Sequence, residues 1–316
     1  MKVKFWGCRG SLPASYPGSN IQEKVKEILK KAAYSDISSD ENIDQFISQL
    51  PFHLISSYGT NTSCVQIIGG DEIIICDAGS GIRDLGRQLL SQMPNMPKVI
   101  NLFLSHLHWD HIHGFPFFVP AYLQGVTIHI WGCHNNIKDT FIQQQENPTF
   151  PVSMNDMGSN IIFHTLDVAE SLNIGGINIS MIKQPHPGDS YGYRFELNDK
   201  VIVYSTDAEH DKESEDENYP FLKFIKKANL LIFDGQFSLA DHLFTKQYWG
   251  HSSNLVGIEL ATRADVKKLC LFHSEHTFND NELNDFLVKS QRYSKIYDDQ
   301  SELEISIAYD GLEFDL

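Results

Sequence analysis

Three imidazoles and a carboxylate within six positions, His106, His108, Asp110 and His111, are the residues of this sequence whose types most directly imply chemistry. Nitrogen and carboxylate donors at this density suit a divalent cation, whereas a packed core would have to desolvate them without compensation. The run is His106-Leu-His108-Trp-Asp110-His111-Ile-His113-Gly114, and it follows directly on the apolar stretch Val99-Ile-Asn-Leu-Phe-Leu-Ser105. Residues two apart in an extended segment lie on one side, so His106 and His108 can share one ion. Asp110 and His111, on the turn that follows, can point to a second ion nearby. The spacing suits two adjacent metals able to bind one water between them.

A loop of this kind needs a rigid sheet behind it, and the chain supplies strand-like runs throughout. They span 3–8, 63–68, 72–77, 99–105, 127–131, 161–166, 177–183, 191–197, 201–205, 230–233, 269–272 and 304–308. Gly69-Gly70-Asp71 and Asn198-Asp199 leave turn-sized gaps and read as hairpins, so antiparallel pairing is expected to predominate in mixed sheets. Helical stripes are fewer. Ile21, Val25, Ile28, Leu29 and Ala32 form one, and Leu283, Phe286, Leu287 and Tyr293 form another behind a cap at Asn279 or Asp280. Hairpin-rich sheets with helices outside predict an α/β chain of α+β type, a four-layer αββα sandwich.

One domain over residues 1–316 is expected, with a charged helical insertion at about 19–57 and a polar insertion at about 134–160, where Pro148 and Pro151 break any helix. Either insertion can be a lid or a surface elaboration. A net charge of −16 argues against a broad basic nucleic-acid surface, since phosphate backbones are bound by clustered Lys and Arg. No run reaches roughly 18 apolar residues and the amino terminus lacks a leader-like stretch, so a soluble, cytoplasmic chain without a membrane partner is expected. Cys8, Cys64, Cys76, Cys133 and Cys270 are odd in number and widely spaced, which predicts buried thiols rather than disulfides. A homodimer is left open.

With the strand that precedes it, the HxHxDH motif resembles that of the metallo-β-lactamase superfamily. The resemblance extends to Phe5-Trp-Gly-Cys-Arg-Gly-Ser11, Tyr58-Gly-Thr-Asn-Thr-Ser63, Asp77-Ala-Gly-Ser-Gly81, Gln184-Pro-His-Pro-Gly188, Ser205-Thr-Asp-Ala-Glu-His210, Gly250-His-Ser252 and Leu271-Phe-His273. It implies that His186 completes a first metal site with His106 and His108. Asp207 would bridge both ions, and His273 would join Asp110 and His111. Each of the three distant residues also ends or follows an apolar run, where strand ends can converge. Asp77, before Gly79 and Gly81, can brace the metal loop. His113 is expected to support the ligands or start a helix, and His210 to lie near the cleft. His276 competes with His273, while His53, His129, His134, His164 and His242 are read as structural.

The resemblance also narrows the reaction. His108 stands where the flavo-diiron branch carries Glu, and Asp207 where β-lactamases usually carry Cys. Tyr248-Trp-Gly-His251-Ser-Ser253 resembles the element that places a histidine beside the scissile phosphate in tRNase Z and related phosphodiesterases. The implied function is hydrolysis of a small or cyclic phosphodiester by a hydroxide bridging two divalent ions, zinc first, manganese or iron as alternatives. Asp110 would orient that hydroxide or accept its proton, and His251 would protonate the leaving oxygen. The opening segment looks most like bacterial cyclic-nucleotide phosphodiesterase-like hydrolases. A tRNase Z-like ribonuclease, or a thioesterase or lactonase on the same core, is the alternative.

Overall fold

The structure is a computed structural model that describes residues 1–237 and 249–316. His242 and Tyr248 of the sequence reading lie outside the described residues. Two seven-stranded sheets carry the fold. The first orders its strands β14-β1-β2-β3-β4-β5-β6, with β1 Lys2–Gly7, β2 Cys64–Ile68, β3 Ile73–Cys76, β4 Val99–Phe103, β5 Thr127–Gly132, β6 Asn160–Thr165 and β14 Glu313–Asp315. The second is β13-β12-β11-β10-β9-β8-β7, with β7 Ser171–Ile174, β8 Ile177–Gln184, β9 Ser190–Leu197, β10 Lys200–Ser205, β11 Leu230–Asp234, β12 Lys268–Phe272 and β13 Glu304–Ile307.

Side-chain alternation along these strands builds three apolar layers. Ile74, Phe103, Tyr204, Ile232 and Phe272 face inward and fill the space between the sheets with Phe5, Tyr193 and Phe195. Their neighbours Ile75, Leu102 and Ile130 face outward, onto α4 (Ile82–Leu90) through Leu85 and Leu89 and onto α6 (Ile137–Gln144) through Ile137 and Phe141. Val203, Leu231, Phe233 and Leu271 do the same on the other sheet, under α7 (Pro220–Ile225), α8 (Asn254–Arg263) and α9 (Asp280–Tyr297). Because each central strand is apolar on both faces, only helices outside can cover it, and the four layers follow.

Antiparallel pairs do not predominate, contrary to the hairpin-based expectation. Each sheet joins three antiparallel pairs to three parallel ones, for example β1–β2 and β2–β3 against β3–β4, β4–β5 and β5–β6. Both expected hairpins are present, β2–β3 and β9–β10, but helices cross over between the later strands and force those to run parallel.

The stretch after β1 forms α1 (Gly18–Ala32), α2 (Asp40–Ser48) and α3 (Phe52–Ile55). It leans on the start of α9, where Lys24 Nζ lies 2.6 Å from Asp280 Oδ2 and Tyr16 donates to the same oxygen. The α1 stripe does not become core: Ile21, Val25 and Leu29 are about half exposed and only Ala32 is buried. In the polar segment, α6 forms and ends before Pro148, with Ile137 and Phe141 buried. The α9 stripe does bury Leu283 and Phe286, behind an Asn279 capping box with Glu282. All five cysteines are free. Among the described residues no helix is long and apolar enough to cross a membrane.

Candidate metal centre

The parallel strands of both sheets end on one edge, and the chemistry-bearing residues stand at those ends. Asp77 follows β3, His106 stands three residues after β4 and Asp207 two after β10, Asp234 ends β11 and His273 follows β12. Asp77, Asp207 and His273 have φ of +60°, +49° and +59°. Left-handed backbone is costly for residues with a Cβ, and its recurrence at three strand ends marks positions where the fold turns a side chain sharply back towards one point.

His106, His108 and His186 form one group of converging ligand atoms, and Asp110, His111 and His273 another. His186 Nε2 lies 3.2 Å from His108 Nδ1. His273 Nε2 lies 3.1 Å from Asp110 Oδ2 and 3.3 Å from His111 Nε2. Asp207 stands between the groups, with one oxygen towards each. Its Oδ2 is 3.6 Å from His106 Nε2 and 3.8 Å from His186 Nε2, and its Oδ1 is 3.3 Å from His111 Nε2 and 3.4 Å from His273 Nε2. Donors about 2.0–2.1 Å from a tetrahedral ion sit roughly 3.3–3.4 Å from one another. Most of these separations fall close to that spacing.

Hydrogen bonds fix which imidazole nitrogens are free. Ser105 Oγ donates to Asp77 Oδ2 at 2.7 Å and so accepts from His106 Nδ1 at 3.0 Å. His106 Nε2 is left with a lone pair, buried and without a hydrogen-bond partner, as a ligand atom would be. His111 Nδ1 donates to Asp77 Oδ2 at 2.8 Å and His186 Nδ1 to the Gly250 carbonyl at 2.7 Å, which leaves both Nε2 atoms as acceptors. Asp77 also takes the Tyr204 hydroxyl at 2.6 Å and the Ser105 N–H at 2.8 Å. The donor set therefore fits divalent cations.

Charge agrees with geometry. Burial holds His106 and His186 below the usual histidine range, and partial desolvation beside the His186 imidazole does the same for the more open His108, which favours the neutral form a metal needs. Burial pushes His111 the same way, but Asp207, Asp110 and Asp77 together lift it well above that range. The carboxylates that would hold a proton there would equally hold a cation. Against the upward push of burial, the imidazoles around Asp110 and Asp207 keep both carboxyls well below the ordinary range.

His251 is buried beside this cluster, its Nδ1 2.8 Å from Asp234 Oδ2 and 3.9 Å from Asp207 Oδ2. Burial opposes its charge, yet Asp234 raises it to about 9. Asp234 itself accepts the N–H groups of Ala208 and Gln236. Sequence reasoning did not single out Asp234, although it ends an apolar run as Asp207 does. It also passed over Ser105 and Tyr204, and the Ser11 N–H that reaches Asp110 Oδ2 at 2.8 Å.

Other expected residues stand apart from the ligand groups. His113 follows the short helix Trp109–Ile112, and its Nε2 lies 3.2 Å from Thr62 Oγ1. His210 packs against Phe221 and Phe233 and bonds Tyr219, and burial pushes it down to about 4. His276 pairs with Glu275 rather than with the ligand groups.

Residues 73–274 match the family described as the beta-lactamase superfamily domain. The chain is 21% identical to a ribonuclease Z of Oceanobacillus iheyensis, over 70% of this chain and 85% of that one. Among solved structures, the metallo-beta-lactamase fold protein YhfI of Bacillus subtilis superposes with a TM-score of 0.64 at 19% identity, covering 99% of this chain and 98% of that one. Unliganded yeast PDE1 gives 0.62 at 14% identity, covering 100% and 99%.

Proposed function

The chain belongs to the beta-lactamase superfamily, and on that premise we propose that it is a phosphodiesterase dependent on two divalent cations and acting on a small or cyclic phosphodiester. The observation that carries the proposal is the pair of ligand groups sharing Asp207, with the buried Asp234–His251 pair alongside. His106, His108 and His186 would hold one cation, Asp110, His111 and His273 the other, and Asp207 both. Bound there, two cations lower the pKa of a shared water and neutralise phosphate charge, and zinc, manganese or iron suits the donors.

The chain's own part is to hold charge and move a proton. When water adds to phosphorus, the ester P–O bond breaks and the departing oxygen needs a proton. His251, kept protonated by Asp234, is placed to give it. Asp110 would bind a cation through the oxygen that the Ser11 N–H fixes, and would orient the attacking water or accept its proton.

A tRNase Z-like ribonuclease is the second reading, favoured by curated relatives named ribonuclease Z at 21% and 23% identity. The net charge of −16 weighs against it, because a long polyanion must be held by basic surface. The test is a panel of cyclic nucleotides, linear phosphodiesters, precursor tRNA and thioesters, assayed with metal-analysed protein. Turnover of small phosphodiesters that is lost in His251→Ala supports the proposal. Cleavage of precursor tRNA alone moves the function to the second reading. Thioester turnover that survives His251→Ala overturns both.

A further inference from the structure

The four tryptophans divide into two kinds. Trp6 and Trp131 are packed, their indole N–H groups donating to Gln66 Oε1 at 3.2 Å and Asn101 Oδ1 at 3.1 Å. Trp109 is 82% exposed and Trp249 61% exposed. An exposed indole forfeits the burial that normally stabilises it, and Tyr and Trp left at a surface are characteristic of binding sites. Folding does not account for the placement of the Trp109 indole, which makes no ring stack, cation–π contact or hydrogen bond among the described residues, although the Trp109 carbonyl accepts from the His113 N–H.

Both exposed indoles are rooted on the same short chain of contacts. Trp109 lies between His108 and Asp110, and His108 is the exposed member of its ligand group. His108 Nδ1 is 3.2 Å from His186 Nε2, and His186 Nδ1 bonds the carbonyl of Gly250, the residue after Trp249. The two tryptophans thus spring from either side of His186, at the solvent-open side of the cluster. Leu12, 56% exposed, follows Ser11, which holds Asp110.

We propose that Trp109, with Trp249 across His186, forms a stacking site for one nucleobase of the substrate, so that the phosphodiester presented to the metal centre is a nucleotide. The inference rests on the phosphodiesterase reading above. A chain with a net charge of −16 offers little basic surface with which to hold an anionic nucleotide. Cations on the phosphate and an indole face on the neutral base meet that need without Lys or Arg. Stacking tolerates any base, because each has a π face.

The test compares Trp109→Ala and Trp109→Phe with wild type, at equal metal content, on a cyclic mononucleotide and on glycerophosphocholine, a phosphodiester with no aromatic group. Trp109→Ala should raise KM for the nucleotide roughly 5- to 150-fold. It should leave glycerophosphocholine unchanged, and Trp109→Phe should retain most of the affinity. Equal effects on both substrates, or none on either, overturn the proposal.

A binding measurement separates this idea from the activity it rests on. Quenching of indole fluorescence by adenosine, lost in Trp109→Ala, upholds the stacking site even where wild type cleaves no phosphodiester. Its absence, in protein that does cleave phosphodiesters, rejects the site alone. Where adenosine quenches, tighter quenching by adenosine monophosphate than by a short single-stranded oligonucleotide assigns the base to a small nucleotide, and the reverse order assigns the same stacking to a chain end.

Discussion

At the scale of single residues, the assignment turns on a buried carboxylate that acts through its imidazole partner. Asp234 accepts from His251 Nδ1 and from two backbone N–H groups, so its charge is fixed and aimed at one imidazole. His251 is raised to about 9 against its own burial. Its protonated form therefore persists above the ordinary histidine range and is lost as pH climbs through the raised value. Bound cations draw that value down in wild type and variant alike, so the difference between them is the diagnostic. Asp234→Asn should move the alkaline limb of the kcat/KM profile to lower pH while leaving the metal content unchanged, and an unmoved limb counts against the pairing. His251→Ala should lose activity about 100- to 10,000-fold, again with metals retained. The convergence of His106, His108, Asp110 and His111 was legible in the sequence because their spacing is local and their residue types are unusual. Asp234 was not, since one aspartate after a strand is common and only the fold brings it to His251.

At the scale of elements, strand ends do the positioning. Asp77 and His273 take left-handed backbone directly after β3 and β12, and Asp207 does so two residues after β10. Gly250 does the same on the facing loop, at φ +85°, where an added Cβ would collide with His186 Nδ1. Gly250→Ala should therefore lower metal content and activity together, as read by metal analysis beside an assay. Helix α6 tests the outer layer: Phe141 is fully buried and edge-on to Phe115 at 5.1 Å. Phe141→Ala should cost about 3–5 kcal/mol in denaturant unfolding. Twelve strands were legible as apolar runs, but β7 and β14 were not. Ser171–Ile174 and Glu313–Asp315 are edge strands of four and three residues, too short to show a period. The α1 stripe misled for the opposite reason. Ile21, Val25 and Leu29 have helical spacing, but periodicity says which face is apolar and not whether anything covers it.

At the scale of the whole molecule, two facing sheets bring ligands from 106 to 273 onto one edge, a convergence that spacing within a single segment cannot reveal. The same layers enclose the thiols. Cys8, Cys64, Cys76 and Cys270 are buried and Cys133 is half-buried, and burial raises all five. Titration with a thiol reagent at pH 8 should be slow in native protein and should reach five equivalents on unfolding. Fast native reaction of more than one thiol would contradict the packing. The acidity of the chain, −16 overall, is relieved locally wherever cations bind, so chelation should also lower the unfolding temperature. The central claim is that two cations on seven ligands make this chain a phosphodiesterase. The direct measurement is stepwise return of Zn²⁺ or Mn²⁺ to chelated protein, following cleavage of bis(p-nitrophenyl) phosphate and bound metal in the same samples. Activity that rises to a plateau at two equivalents per chain is the predicted result, and protein that binds two equivalents yet cleaves no phosphodiester contradicts it.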